Sequence, residues 1–411
     1  MTERSIDRIV VIGGGLAGAK GVEGLRGAGF AGSLTLVGSE THLPYERPPI
    51  SKAYLMGEAP FDDAIVHPQQ WYAENNVDLM LGTEVAFIDP SAHLVSTLTG
   101  VELRYDRLLL ATGASPRHLP VPGVTTAGVY YLRTRDDADL IRQVFGPDKS
   151  LVIIGAGWIG LEVAAAARAK DTRVAVVDTA AQPLLTVLGD TMAHVFASLH
   201  RDHGVDLRMS TGVREITEHE GTVDGVIFDD GSSLTADAVV IGVGVQPNVE
   251  LARSAGLAVD NGVLVDASLR SSDPDIWAVG DIANQDHPLL HTRVRVEHWA
   301  TALNQPAVAA RAMLGGSDVY DDLPYFFSDQ YELGMEYIGR HQPLSRLVVR
   351  GDLNGREFVA FWLDADDRIE ASMNVNVWDV VDQVKPLIRD RVRVDPDRLA
   401  DPSVPYSAFP A

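Results

Sequence analysis

Residues 152–160 read "VIIGAGWIG", and residues 10–18 already read "VVIGGGLAG". Each stretch runs apolar into Gly-x-Gly-x-x-Gly: Gly13, Gly15 and Gly18 in the first, Gly155, Gly157 and Gly160 in the second. The flanks decide what the glycines are for. "RIVVIGG" reads as a buried strand, "LAGAKGVEGLRGAG" as a helix with a glycine stop, and "SLTLVGSE" as a second strand ending in an acid. Residues 151–178 repeat the plan as "LVIIGAG", "WIGLEVAAAARAKD" and "RVAVVD". A glycine turn between a strand and a helix is the context in which this spacing carries meaning. The first glycine allows the tight turn, the second lets the backbone approach a pyrophosphate, and the third lets helix pack close to strand. The helix N-terminus offers amide hydrogens and positive dipole to the phosphates. Two such cradles predict two dinucleotides, and two dinucleotides on one chain predict electrons moving between them.

The acid ending the second strand of each unit reads the ribose. Asp178 accepts hydrogen bonds from a 2′-hydroxyl and repels a 2′-phosphate. The residues after it, "TAAQPLLTV", bring no Lys or Arg to hold such a phosphate, so NADH is expected over NADPH. An aspartate capping a turn is the plainer alternative. Ser39 and Glu40 occupy the equivalent region of the first unit.

Totals narrow the chemistry. The 411 residues exceed one core and predict two or three domains. Lys and Arg number 34 against 57 Asp and Glu, a net charge of −23, which argues against nucleic acid and anionic membranes. No apolar run approaches the ~18 residues of a membrane span. The start, "MTERSIDRIVVIGGG", lacks the apolar segment of a signal peptide, and a cytoplasmic protein is expected. There is no cysteine, which excludes a disulfide framework, a redox-active thiol pair, a thiolate nucleophile and a cysteine-ligated cluster. Electrons must therefore travel on bound cofactors. No metal site is expected: His200 and His203 are the nearest helical histidine pair and lack a carboxylate at ligand spacing.

Along the chain, "RLLLATGASPR" (107–117) and "AVVIGVGVQPN" (238–248) each run apolar and stop at Gly followed by Pro, as domain crossings do. They predict one domain inserted in another: 1–112 with 245–322, and 113–244 between. After "DIWAVGDIA" a helix is expected from about Val296, over "VEHWATALNQPAVAARAML". From Leu323 alternating segments ("PYFFSDQ", "LGMEYIG", "LSRLVVRG", "EFVAFWLD") predict strands, with a helical tail over "NVNVWDVVDQVKPLI". Residues 323–411 thus read as a third, α+β domain.

Several of these segments, with "HLPYERPPISKAYL" (42–55), fall in the order seen in the NADH-dependent ferredoxin reductases of bacterial oxygenase systems, which the chain resembles over essentially its whole length. The resemblance implies an α/β fold of the glutathione-reductase type, a flavoprotein with two Rossmann-like dinucleotide-binding domains plus the C-terminal α+β domain. The first cradle then holds FAD, through Gly13, Gly15, Ala17 and Gly18, with Ser39 or Glu40 near the ribose and Val85 offering backbone to the adenine. Arg47, Lys52 and Arg133 match basic positions along the FAD site, Ala111, Thr112 and Gly113 belong to its "LLLATG" segment, Asp281 meets the ribityl chain, and Trp299 sits near the flavin ring. The second cradle holds NAD, with Gly155, Gly157, Ile159, Gly160, Glu162, Asp178 and Gly244 as binding positions. Lys52 and Glu162 match a pair implied to approach each other beside the flavin's reactive nitrogen, where they orient the nicotinamide and tune flavin charge without acting as nucleophiles. Each has a bland alternative: a solvated loop for Arg47 and Lys52, a helix cap for Asp281, core packing for Trp299.

The implied activity carries electrons from NADH through FAD to a [2Fe–2S] ferredoxin that feeds a cytochrome monooxygenase or Rieske-type oxygenase. Rubredoxin or monodehydroascorbate reduction, and an NADH-sensing flavoprotein resembling apoptosis-inducing factor, are the alternatives. Arg293, Arg295 and Arg311 are expected as a basic docking patch for an acidic ferredoxin. The chain departs from the family pattern at Phe327, commonly Trp, and at Gln182, where an Arg often follows the ribose-binding acid. Nothing in the residues selects an oligomeric state.

Overall fold

The computed structural model describes residues 5–409. They divide into two compact units, one of residues 5–47, 61–115 and 246–324, the other of 48–60, 116–245 and 325–409.

In the first unit the apolar runs form a five-stranded parallel sheet in the order Ile276–Ala278, Arg107–Leu110, Arg8–Ile12, Ser33–Val37, Val77–Met80. Strands covered on both faces need no polar alternation, and Val10, Val11, Leu36, Leu108 and Ile276 are all buried. The helix Leu16–Gly27 packs on the sheet and against Trp299–Met313. Gly24 permits that approach, since a β-carbon there would stand 3.1 Å from the Ala310 side chain. A three-stranded antiparallel sheet, Val85–Asp89, Leu94–Thr97 and Glu102–Arg104, completes the unit.

The second unit repeats the parallel plan in the order Asp206–Arg208, Arg173–Val177, Ser150–Ile154, Ala238–Ile241, Val129–Tyr131. In the first sheet the chain steps outward one way from Arg8–Ile12 and then returns on the other side, and in the second it does the same from Ser150–Ile154. The crevice at that switch point, beyond the strands' carboxyl ends, is where such sheets bind ligands. The unit also holds a five-stranded antiparallel sheet, Tyr325–Gln330, Leu333–Gly339, Ile369–Val375, Glu357–Leu363, Arg346–Asp352, backed by helix Val381–Arg389. Its buried residues alternate along Leu333–Gly339 and become continuous along Glu357–Leu363.

Two expected boundaries move. The long helix begins at Trp299, not near Val296: His298 is extended, φ −127° and ψ 152°. Residues 374–375 of the expected helical tail end the last strand, Val375 pairing Met335 on one side and Phe358 on the other. Period-two alternation in "MNVNV" outweighs the helical pattern downstream.

Candidate functional site

The two glycine turns are built bond for bond alike. In the first, Gly13 N–H donates to Val37 O at 2.8 Å and Ala111 N–H to Ile12 O at 2.7 Å. In the second, Gly155 N–H donates to Val177 O and Gly242 N–H to Ile154 O, both at 2.8 Å. The three glycines of each motif separate by what a side chain would meet. A β-carbon on Gly13 would lie 2.1 Å from Ala111 O, and one on Gly18 would lie 1.9 Å from Gly13 O. On Gly155 and Gly160 the corresponding distances are 2.3 Å to Gly242 O and 2.1 Å to Gly155 O. Gly13 and Gly155 also have φ of +125° and +111°, which L side chains rarely adopt. The middle glycines differ: nothing of the protein lies within 4 Å of a β-carbon on Gly15 or Gly157. That open side, at a helix N-terminus with no side-chain cap, fits a phosphate group and explains why the protein keeps glycine there.

Around the first cradle the unit gathers the expected polar residues. Arg47 pairs with Glu40 at 2.9 Å, and the Tyr45 hydroxyl donates to the same carboxylate at 2.6 Å while accepting from Arg47 at 3.1 Å. Asp281 contributes to the charge field that Arg47 feels, so these groups lie within electrostatic reach. Ser39 is exposed and Ala17 and Val85 are buried. Thr112 and Gly113 are fastened by Asn248, whose amide donates to Thr112 O at 2.8 Å and whose N–H donates to Gly113 O at 2.9 Å. Trp299 donates its indole N–H to Glu46 at 2.9 Å, and His298 before it is pushed down to about 4 by burial. Arg133 lies in the second unit, where its N–H donates to Asp137 ahead of helix Arg135–Arg142.

At the second cradle Asp178 braces the turn it follows, accepting from Ala156 N–H at 2.7 Å and Ala180 N–H at 2.8 Å. Carboxylate oxygens keep further lone pairs, so a ribose hydroxyl has acceptors left. Ile159, on the first helical turn, is 43 % exposed, unusual for so apolar a residue beside a cradle. Gly244, at φ +98°, belongs to the same unit. Gln182 donates to Asp190 at 2.6 Å.

Beyond the turn, Lys52 and Glu162 meet as an ion pair at 2.8 Å, their side chains only 16 % and 4 % exposed. Glu162 also accepts from Ser51 at 2.5 Å and Ser328 at 2.7 Å, so the buried carboxylate has a cation and two hydroxyl donors. The Lys52 ammonium lies 5.4 Å from the Phe327 ring centre, a cation–π contact that a Trp would also make. Sequence reasoning missed Ser51 and Ser328, although both stand inside the quoted segments "PPISK" and "FFSDQ".

The three arginines expected as a docking patch differ in what holds them. Arg295 is 9 % exposed and bound to Glu297, Arg311 pairs with Asp318 at 2.7 Å, and Arg293 donates to Asn284 O at 2.9 Å. Arg295 is the least exposed of them, while Arg293 and Arg311 stay exposed, and a surface pair such as Arg311–Asp318 is weak enough to exchange partners. Among the described residues no group of three His, Asp or Glu is arranged to hold a metal ion. Nor is any helix long and apolar enough to cross a membrane.

His200 shows how burial sets a charge state. It is fully buried and held down to about 4, against an ordinary 6.5, by desolvation. An unfolded chain takes up this proton near 6.5 and the folded one only near 4, so acid favours unfolding across that interval. The stability His200 protects is intact above pH 6.5 and falls as pH drops toward 4, by about 2 kcal/mol on reaching pH 5. Melting temperatures at pH 7 and pH 5 should therefore differ less in His200→Gln than in the parent chain. An equal difference contradicts the assignment.

Comparison with known proteins agrees with this architecture. The family described as pyridine nucleotide-disulphide oxidoreductase matches residues 7–306, and that described as reductase C-terminal matches 325–409. Putidaredoxin reductase CamA of Pseudomonas putida is 41 % identical over 97 % of this chain and 96 % of its own length. The ferredoxin–NAD(+) reductase component of the anthranilate 1,2-dioxygenase system of Burkholderia cepacia is 38 % identical over 98 % of this chain and all of its own. The reductase in the crystal structure of the covalent putidaredoxin reductase–putidaredoxin complex superposes with a TM-score of 0.95 at 40 % identity, covering 99 % of this chain and 98 % of that one. The chain belongs to the pyridine nucleotide-disulphide oxidoreductase family, in the branch of the ferredoxin reductases that serve oxygenase systems.

Proposed function

We propose that this protein is an FAD-dependent reductase that takes electrons from NADH and delivers them to a [2Fe–2S] ferredoxin, which feeds a cytochrome monooxygenase or Rieske-type oxygenase. The observation that carries the reading is the pair of matched cradles, each open at its middle glycine, on a chain without cysteine. Bound FAD supplies the chemistry: it accepts a hydride from NADH and gives electrons up one at a time.

The chain's own residues bind and orient. Gly13, Gly15, Ala17 and Gly18, with Glu40, Arg47, Val85, Asp281 and Trp299 of the same unit, make the FAD site on this reading. Residues 1–112 with 245–322 then form the FAD domain, 113–244 the NAD domain and 323–411 the C-terminal domain. Gly155, Gly157, Gly160 and Asp178 hold NADH, with Ile159 covered by it. Glu162 fixes the Lys52 ammonium, and the two orient the nicotinamide without forming a covalent bond. A cytoplasmic location is part of the same reading.

Anaerobic mixing tests it. One equivalent of NADH should bleach the flavin of the purified protein, and a [2Fe–2S] ferredoxin should then restore its absorbance. Flavin that stays oxidised with NADH overturns the proposal. Asp178 gives a second check. Asp178→Asn keeps one acceptor for the Ala156–Ala180 brace but no longer repels a 2′-phosphate. It should lower kcat/KM for NADH about tenfold and narrow the preference over NADPH, as steady-state kinetics with both nucleotides will read.

A further inference from the structure

Glu162 does not stop at Lys52, Ser51 and Ser328. Behind Ser328 lies Gln330, 1 % exposed, whose amide nitrogen is 3.1 Å from the Ser328 hydroxyl. Its amide oxygen is 2.8 Å from Nε2 of His200, on helix Asp190–Asp202. The Tyr331 hydroxyl is 3.3 Å from His200 Nδ1, and its ring stacks on His203 at 3.7 Å between centres. All of these residues lie in the second unit, and His200, Gln330, Ser328 and Glu162 are each at most 4 % exposed.

One ordering of protons satisfies every member. Glu162 is an acceptor, so the Ser328 hydroxyl donates to it and its oxygen must accept from the Gln330 NH₂. That turns the Gln330 oxygen toward His200, which therefore carries its proton on Nε2. The neutral ring then accepts at Nδ1 from Tyr331, and the uncharged state is the one its burial enforces. Every donor points toward the carboxylate. Aligned donors polarise one another, and breaking one frees those beyond it to turn.

We propose that Gln330 and His200 are positioning residues for electron entry from NADH: through Ser328 they fix the rotamer of Glu162 and so the place of the Lys52 ammonium. The proposal rests on the reading of this site given above. Without the chain the Ser328 hydroxyl is held from the Glu162 side alone, so Glu162 keeps its partners but loses its fixed angle, and hydride transfer depends on alignment.

Stopped-flow reduction of the FAD-loaded protein by NADH tests this, with Gln330→Met, His200→Leu and His200→Gln. Gln330→Met keeps the volume and removes both hydrogen bonds. It should lower the limiting rate about tenfold while the NADH concentration at half-rate moves less than about twofold. Electron transfer from the dithionite-reduced protein to ferredoxin should be unchanged. His200→Leu should act in the same direction, and His200→Gln, which still donates to Gln330, should recover the parent rate to within about twofold. Apart from turnover, nitrogen NMR of histidine-labelled holoenzyme should show His200 neutral and protonated on Nε2. A mere brace between helix and sheet predicts lower melting temperatures with an unchanged limiting rate, which overturns the proposal. So does an Nδ1–H tautomer, or a Gln variant as slow as the Leu variant. If the parent protein is not reduced by NADH, the reading beneath falls instead, a different result from equal rates in parent and variants.

Discussion

Gly160→Ala should silence the response to NADH while the protein keeps its FAD, and Gly18→Ala should empty the protein of FAD. The methyl group arrives 2.1 Å from Gly155 O in the first case and 1.9 Å from Gly13 O in the second. Backbone carbonyls cannot swing aside as a long side chain does. The turn must open, and with it the amides that face the phosphates move. Overpacking of this kind costs about 1–3 kcal/mol or more, so affinity for the nucleotide should fall about a hundredfold. Flavin content by absorbance reads one variant, and stopped-flow titration with NADH reads the other. Gly157→Ala separates ligand from fold, because its methyl group meets nothing of the protein. It should leave the melting temperature in place and still weaken NADH binding. Normal NADH binding in Gly157→Ala would mean that no phosphate approaches there.

Lys52→Met should slow flavin reduction by NADH about a hundredfold with FAD still bound. The reason lies in Glu162, whose carboxylate is 4 % exposed and loses its only nearby cation among the described contacts. A buried charge stripped of its partner costs about 3–5 kcal/mol, so the melting temperature should fall too. Adding Glu162→Gln removes the stranded charge. The double variant should regain stability and stay slow, whereas recovery of both would make the pair structural. Unchanged single-turnover reduction in Lys52→Met takes Lys52 out of the mechanism.

The central strands of the parallel sheets were legible as short apolar runs around glycine turns that announce themselves by spacing. The edge strands Val77–Met80, Val129–Tyr131 and Asp206–Arg208 are too short or too polar to stand out. The four strands beginning with "PYFFSDQ" were legible as short apolar and aromatic runs, with alternation of burial clearest along Leu333–Gly339. The start of the helix at Trp299 was not, since "VEH" carries no cap that the sequence could reveal, and His298 simply leaves helical geometry. The pairing of Arg295 with Glu297 and of Arg311 with Asp318 involves near neighbours in the chain, but only the fold shows that Arg295 is largely covered and Arg311 exposed. The Lys52–Glu162 pair was legible through family resemblance alone, the partners being far apart in the chain. Ser51, Ser328, Gln330 and His200 carry no signal of their own, because a serine, glutamine or histidine reads the same in the sequence whether the fold buries it or leaves it solvated.

Electron delivery to a ferredoxin is read most directly by cytochrome c reduction with NADH, measured with and without a [2Fe–2S] ferredoxin and repeated with NADPH and with rubredoxin. The rate should depend on the ferredoxin and be much faster with NADH. A rate indifferent to ferredoxin, or one restored by rubredoxin in its place, contradicts the ferredoxin reductase activity.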